Sequence, residues 1–264
     1  MSWQLAVPVL LVWVLVAARG VTGQTAATYH HVHLTSPVVS EAVKWYAQHM
    51  GCQPIAGRTD GCEAGPVRVM FSSGVARGTN QGTAVDSIGF SFPDLAAKIK
   101  EFRTVGSGGD GVRILTPIHE EPGLYKAAAL VADTLSTRIE VVEDPEYLGF
   151  HHITLKSADP DGALQWYQQA FGGQPSSLKG QKKGLLFGKV WLFVIQAEGP
   201  FASTAGRTLD HFGFSFPSLD AAAGDLKKKG IVFQQEPRAV TNGPVAKNAF
   251  VLSPDNVRIE VVQP

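Results

Sequence analysis

Two rhythms of apolar and polar positions alternate along this chain, one with a period of two and one with a helical period. Along 211–216, Phe212, Phe214 and Phe216 alternate with His211, Gly213 and Ser215. Along 152–155, Ile153 and Leu155 alternate with His152 and Thr154. That period predicts strands with one buried face. A helical stretch follows each strand. Pro160–Phe171 carries Ala163, Trp166, Tyr167 and Ala170 on one face, and Leu219–Lys229 repeats the plan before Gly230. Glycine after the last periodic residue marks the end of a helix. Apolar strand runs come next: Leu185–Phe187 and Val190–Ile195 after the first helix, and Ile231–Phe233, Phe250–Leu252 and Val257–Val262 after the second. Each unit therefore reads β-α-β-β-β.

The units recur. HHVHL (30–34) returns as HHITL (151–155), GFSFPDL (89–95) as GFSFPSL (213–219), and RIEVV (138–142) as RIEVV (258–262). Four units start at His31, Ser87, His152 and His211, so the repeat is nested. Two domains are predicted, 29–144 and 149–264, with Pro145 interrupting the strand pattern between them. The tryptophan–tyrosine pairs, Trp45 and Tyr46 in one helix and Trp166 and Tyr167 in another, read as the faces packed on the sheets.

Side-chain alternation then sorts the polar residues. His152, His211 and Glu260 all fall on the strand face that the helices do not use. Two histidines and a carboxylate form a metal-ligand set, so a metal site is expected in the second domain. The first copy offers His31, Ser87 and Glu140 at these positions. Its site reads as degenerate, although His31, His33 and Glu140 make an unconventional second set. His30, His49 and His151 are out of phase with that face and read as structural or solvent-facing.

Composition limits the partners. The chain has 264 residues, and its 23 Lys and Arg balance 23 Asp and Glu, so no net field recruits nucleic acid or an anionic membrane. Leu5–Ala18 is an apolar run followed by Val21-Thr22-Gly23, which reads as a secretory signal over 1–23. Fourteen apolar residues are short for a bilayer span, which takes about 20. Export to the periplasm or cell exterior is the expectation, with no membrane contact after signal removal. Cys52 and Cys62, the only cysteines, read as a local disulfide staple, with two free thiols as the alternative.

The HHITL and LDHFGFSF strands, the tryptophan–tyrosine helix with its glycine stop, and SPDNVRIEVV together resemble the vicinal oxygen chelate superfamily over about residues 29–264. This superfamily includes glyoxalase I, bleomycin and fosfomycin resistance proteins and extradiol dioxygenases. The resemblance implies an α+β fold of tandem domains, each made of two β-α-β-β-β modules curled into a cup with helices on the outer face. It implies one divalent ion (Fe, Mn or Zn) at His152, His211 and Glu260. The fourth ligand of glyoxalase I falls near Phe193, which cannot bind metal. Three ligands leave room for a chelating substrate and oxygen, so the first expectation is dioxygenase-like chemistry on a small, oxygen-bearing molecule, aromatic ones included. Alternatives are a glyoxalase-like lyase or isomerase with Glu260 as base, and a non-catalytic binder. Thr154, Trp191, Phe193, Phe250 and Arg258 are candidate substrate contacts, although the aromatic residues also suit a core and Arg258 a strand-end ion pair. The assembly is expected to be a monomer of two domains or a homodimer.

Overall fold

A computed structural model describes residues 27–105, 112–241 and 243–264. The predicted signal segment lies outside the described residues. Four β-α-β-β-β modules run in order. The first contains β1 (Thr28–Ser36), α1 (Val39–Met50), β2 (Gln53–Pro54), β3 (Gly61–Ala64) and β4 (Val67–Ser73). The second contains β5 (Val85–Ser91), α2 (Leu95–Val105), β6 (Arg113–Glu121), β7 (Tyr125–Ala132) and β8 (Arg138–Val142). The third contains β9 (Gly149–Ser157), α3 (Pro160–Phe171), β10 (Gln174–Leu178), β11 (Lys182–Phe187) and β12 (Val190–Gln196). The fourth contains β13 (Leu209–Ser215), α4 (Leu219–Lys228), β14 (Phe233–Ala239), β15 (Lys247–Leu252) and β16 (Arg258–Gln263). No helix among the described residues is long and apolar enough to cross a membrane.

Local chemistry sets the helix ends. Pro160 opens α3, and the Asp159 carboxylate accepts from Gly162 N at 3.0 Å, which satisfies one of the free first-turn amides. Ser218 caps α4 in the same way. At the end of α1, Gly51 turns the chain with φ 67°.

The modules form two eight-stranded mixed sheets, and each sheet draws on both sequence copies. One runs β14-β15-β16-β13-β1-β4-β3-β2, joining the fourth module to the first. The other runs β10-β11-β12-β9-β5-β8-β7-β6, joining the third to the second. The seams are the antiparallel pairs β1 with β13 and β5 with β9. The expected assignment of one cup to 29–144 and another to 149–264 therefore describes the sequence copies, while the cups cross between them.

Connection length gives the physical reason. Only residues 143–148 join β8 to β9, and they hold both strands in one sheet on either side of β5. The longer arms 74–84 and 197–208 carry the chain to the other sheet and back. These arms bind each other. Arg77 N donates to Gly206 O at 2.7 Å, Ala202 N to Gly82 O at 2.9 Å, and Asn80 brackets both backbone groups of Leu209 at 2.8 Å.

The helix-side faces of both sheets share one apolar core, with Val32 and Leu34 from one sheet and Ile88, Phe90 and Ile153 from the other. Tyr29 contacts Phe150 across the sheets at 5.7 Å, and Phe171 of α3 stacks on Phe214 at 4.3 Å. The opposite, polar face of each sheet is the concave one. Cys52 and Cys62 are joined by a disulfide with Cα atoms 5.5 Å apart, tying the segment that follows α1 to β3.

Candidate metal centre

The period-two alternation of β1 sends His31 and His33 to the concave face, and that of β13 and β16 sends His211 and Glu260 there too. Register brings them together: His33 lies opposite His211, while Gly213 lies between His31 and Glu260. Ligating atoms of His31, His33, His211 and Glu260 all fall within 4.8 Å of one another. His31 Nε2 and His211 Nε2 approach the same Glu260 oxygen, Oε2, at 3.0 and 3.3 Å. Both nitrogens are buried and outside hydrogen-bond geometry with any described residue. Two buried lone-pair sites and one carboxylate oxygen aimed at a common point are what a cation requires, so the donor set fits a divalent ion.

A surrounding shell fixes each donor. His211 Nδ1 lies 2.6 Å from Asp210 Oδ1, which sets the ring so that Nε2 faces Glu260. Asp210 in turn accepts from Arg258 at 2.6 Å and from Gly206 N at 2.5 Å. Asn248 Nδ2 donates to Glu260 Oε1 at 2.8 Å, leaving Oε2 for the centre. His30 Nδ1 sits 2.8 Å from His31 Nδ1, and Ser72 Oγ lies 2.8 Å from His33 Nε2. Gly213 is obligatory for space: a Cβ there would lie 2.2 Å from His31 Cε1.

The electrostatics follow from this packing. Burial alone would raise the Glu260 pKa, but His211 and His31 hold it well below the usual carboxylate range. Burial lowers His31 against the pull of Glu260. It pushes His33 down to about 3, with help from His211 and His31, so both imidazoles are unprotonated at neutral pH. Burial also opposes charge on His211, yet Asp210 and Glu260 raise its pKa above the ordinary value. The mouth of the centre is a cavity of about 160 Å³ walled by Met70, Val240, Pro244 and Val245, with Arg58 and Arg68 among its lining residues.

His152, expected beside His211 and Glu260, instead occupies the other cup. There Glu140 Oε2 lies 3.1 Å from its Nε2. Burial would raise the Glu140 pKa, and His152 overrides this to bring it down to about 2. Glu140 thus partners His152, and the set His31, His33 and Glu140 is not formed. The reason is the seam: β8, which carries Glu140, joins β9 through β5, and β16, which carries Glu260, joins β1 through β13.

Ser87 and Thr154 stand in this second cup where the first has His211 and His33. Thr154 Oγ1 is buried, with no hydrogen-bond partner among the described residues. Trp191 and Phe193, candidate substrate contacts, stack at 5.5 Å and pack with Tyr125, Leu178 and Val142. Phe193 covers His152, its ring 5.4 Å away, and a cavity of about 260 Å³ remains beside Ser87, Glu140 and Thr154. The register counterparts of Trp191 and Phe193 in the first cup are Arg68 and Met70, which line its cavity. Phe250 does border the metal centre, 5.2 Å from the His211 ring, while Arg258 lies 3.7 Å over the Phe250 ring and on Asp210, so Arg258 serves the shell.

Sequence reasoning missed Asp210, Asn248, His30, Ser72 and Gly213. The doublets His30-His31 and Asp210-His211 were the available signal, because a metal-binding imidazole needs a partner on its second nitrogen.

Residues 149–261 match the family model described as Glyoxalase/Bleomycin resistance protein/Dioxygenase superfamily. No curated protein matches the chain by sequence. Among solved structures, glyoxalase I from Zea mays is similar with a TM-score of 0.70 at 13% identity, covering 90% of this chain and 92% of that one. A putative dioxygenase from Bacillus subtilis is similar with a TM-score of 0.64 at 15% identity, covering 91% and 86%. At these identities the likeness is one of fold. The family match thus covers the second sequence copy, and over the rest of the chain the likeness is one of fold.

Proposed function

We propose that this protein is a divalent-metal enzyme of the lyase or isomerase type, acting on a small molecule with two neighbouring oxygens at the cup of β1, β13 and β16. The observation that carries this reading is the donor count. Four side chains converge, His31, His33, His211 and Glu260. An ion held by these four donors would keep fewer open positions than one held by three, and a chelating substrate would use two of them. Oxygenase chemistry needs a third position, as the facial two-histidine carboxylate arrangement provides. The three-ligand shell that favoured an oxygenase rested on His152, which lies in the other cup.

An ion in this site supplies Lewis acidity, polarising a substrate carbonyl and acidifying the neighbouring carbon–hydrogen bond. The chain supplies the rest. Met70, Val240, Pro244 and Val245 give the cavity an apolar wall, and its volume of about 160 Å³ suits a small molecule. Glu260, ionised and held at Oε1 by Asn248, would present Oε2 to the ion. Imidazole-rich donors suit zinc, and the disulfide is consistent with the oxidising surroundings of an exported chain, where Fe(II) is readily lost.

Metal analysis and solvent-exchange kinetics on the full chain test this reading. The expected result is one equivalent of divalent metal, lost in His211→Ala, and metal-dependent deuterium exchange at the carbon beside the carbonyl of small α-hydroxycarbonyl compounds. Oxygen uptake with catechols and no such exchange would overturn the lyase or isomerase reading. A metal content below about a third of an equivalent would remove the enzyme reading altogether.

A further inference from the structure

We infer that the second sheet carries a site for a small organic dianion, outside both cups' ligand sets, between the arm 79–82 and the starts of β5, β6 and β8. A cavity of about 630 Å³ lies there, within the size range of small-molecule sites. Its charged lining residues are Arg113, Arg138 and Lys156 against a single carboxylate, Asp86. Three cations against one anion leave two positive charges around one open cleft.

The internal pairing is also loose. Asp86 lies 3.9 Å from Arg138 and 4.0 Å from Lys156, beyond hydrogen-bond distance of either. The equivalent group in the other sheet behaves differently. Asp210 holds Arg258 at 2.6 Å, and the Phe250 ring lies 3.7 Å under that guanidinium. In the first copy Leu130 stands opposite Glu140 where Phe250 stands opposite Glu260, so no ring lies under Arg138. Ser87 replaces His211, so Asp86 has no imidazole to orient. The copy without this histidine thus also holds its arginine less tightly. The Arg138 side chain is half exposed, and its guanidinium is available for the forked contact that carboxylates and phosphates accept. The opposite wall is rigid, because Asn80 is fixed on both backbone groups of Leu209.

Calorimetric titration of the full chain at low ionic strength tests the proposal, with ribose 5-phosphate, glutarate and neutral ribose as probes. We expect saturable binding of at least one anion and none of ribose. Phosphate-only or glutarate-only binding would support the site and identify which dianion it takes. Charge-assisted contacts are each worth about tenfold in affinity. Arg113→Gln with Lys156→Gln should therefore weaken binding by about tenfold or more. Asp86→Asn should strengthen it several-fold, which a merely structural role would not do. His211→Ala should bind as wild type, separating this site from the metal centre. No saturable binding of either anion, or equal binding by the double variant, would overturn the proposal.

Discussion

His211 shows how much of the centre depends on groups that never touch a ligand. Asp210 orients its ring, and Arg258 and Gly206 N orient Asp210. Replacing such an outer partner costs about 10–100-fold in metal affinity. Asp210→Asn should accordingly weaken metal binding by that factor, measured by competition with a chromogenic chelator, while the circular dichroism spectrum is unchanged. Gly213 acts through space alone. In Gly213→Ala the new methyl would meet His31 Cε1 at 2.2 Å, so His31 must leave its position. The expected outcome is loss of bound metal and a destabilisation of about 1–3 kcal/mol, as overpacked interiors show. A denaturant titration together with a metal assay measures both.

At the level of elements, α1 is fastened to the turn before β8 by one buried pair. Tyr46 donates to Asp133 Oδ2 at 2.8 Å, while Asp133 Oδ1 accepts from Leu135 N and Thr137 N at 2.9 and 2.7 Å. Burial raises the Asp133 pKa from 3.8 to about 6 despite these bonds. A raised folded-state value favours the protonated form, so this contribution is complete below about pH 4 and is lost as the pH climbs through about 6. Asp133→Asn keeps the neutral geometry. Its melting temperature relative to wild type should therefore rise between pH 4 and pH 7, and a flat difference would contradict the assignment. The sequence showed the helices well, because Pro160–Phe171 and Leu219–Lys228 combine a strong helical period with caps. It showed the outer strands less well. Gln174–Leu178 is largely exposed at a sheet edge and carries no alternation, and β14 begins at Phe233, after the apolar Ile231 that suggested its start.

For the whole molecule, the decisive feature is which modules share a sheet. Alternation along a strand tells which face a residue takes, so His31, His33, His211 and Glu260 were all legible as cup residues. It does not tell which of four similar strands lies alongside. That choice rests on the short 143–148 link and on hydrogen bonds between the arms 74–84 and 197–208, which leave no periodic trace. Crossed assembly has a direct consequence. A fragment of residues 27–148 contains His31 and His33, and one of 149–264 contains His211 and Glu260, so neither should bind metal tightly alone. Mixed and co-refolded, the two should recover one metal equivalent, as judged by size-exclusion chromatography with metal detection.

The central claim is that the metal centre is built from opposite ends of the chain. Metal content by mass spectrometry of three full-length proteins tests it most directly: wild type, His31→Ala and His152→Ala. The account predicts that His31→Ala loses the ion and His152→Ala retains one equivalent. Retention in His31→Ala with loss in His152→Ala would contradict it.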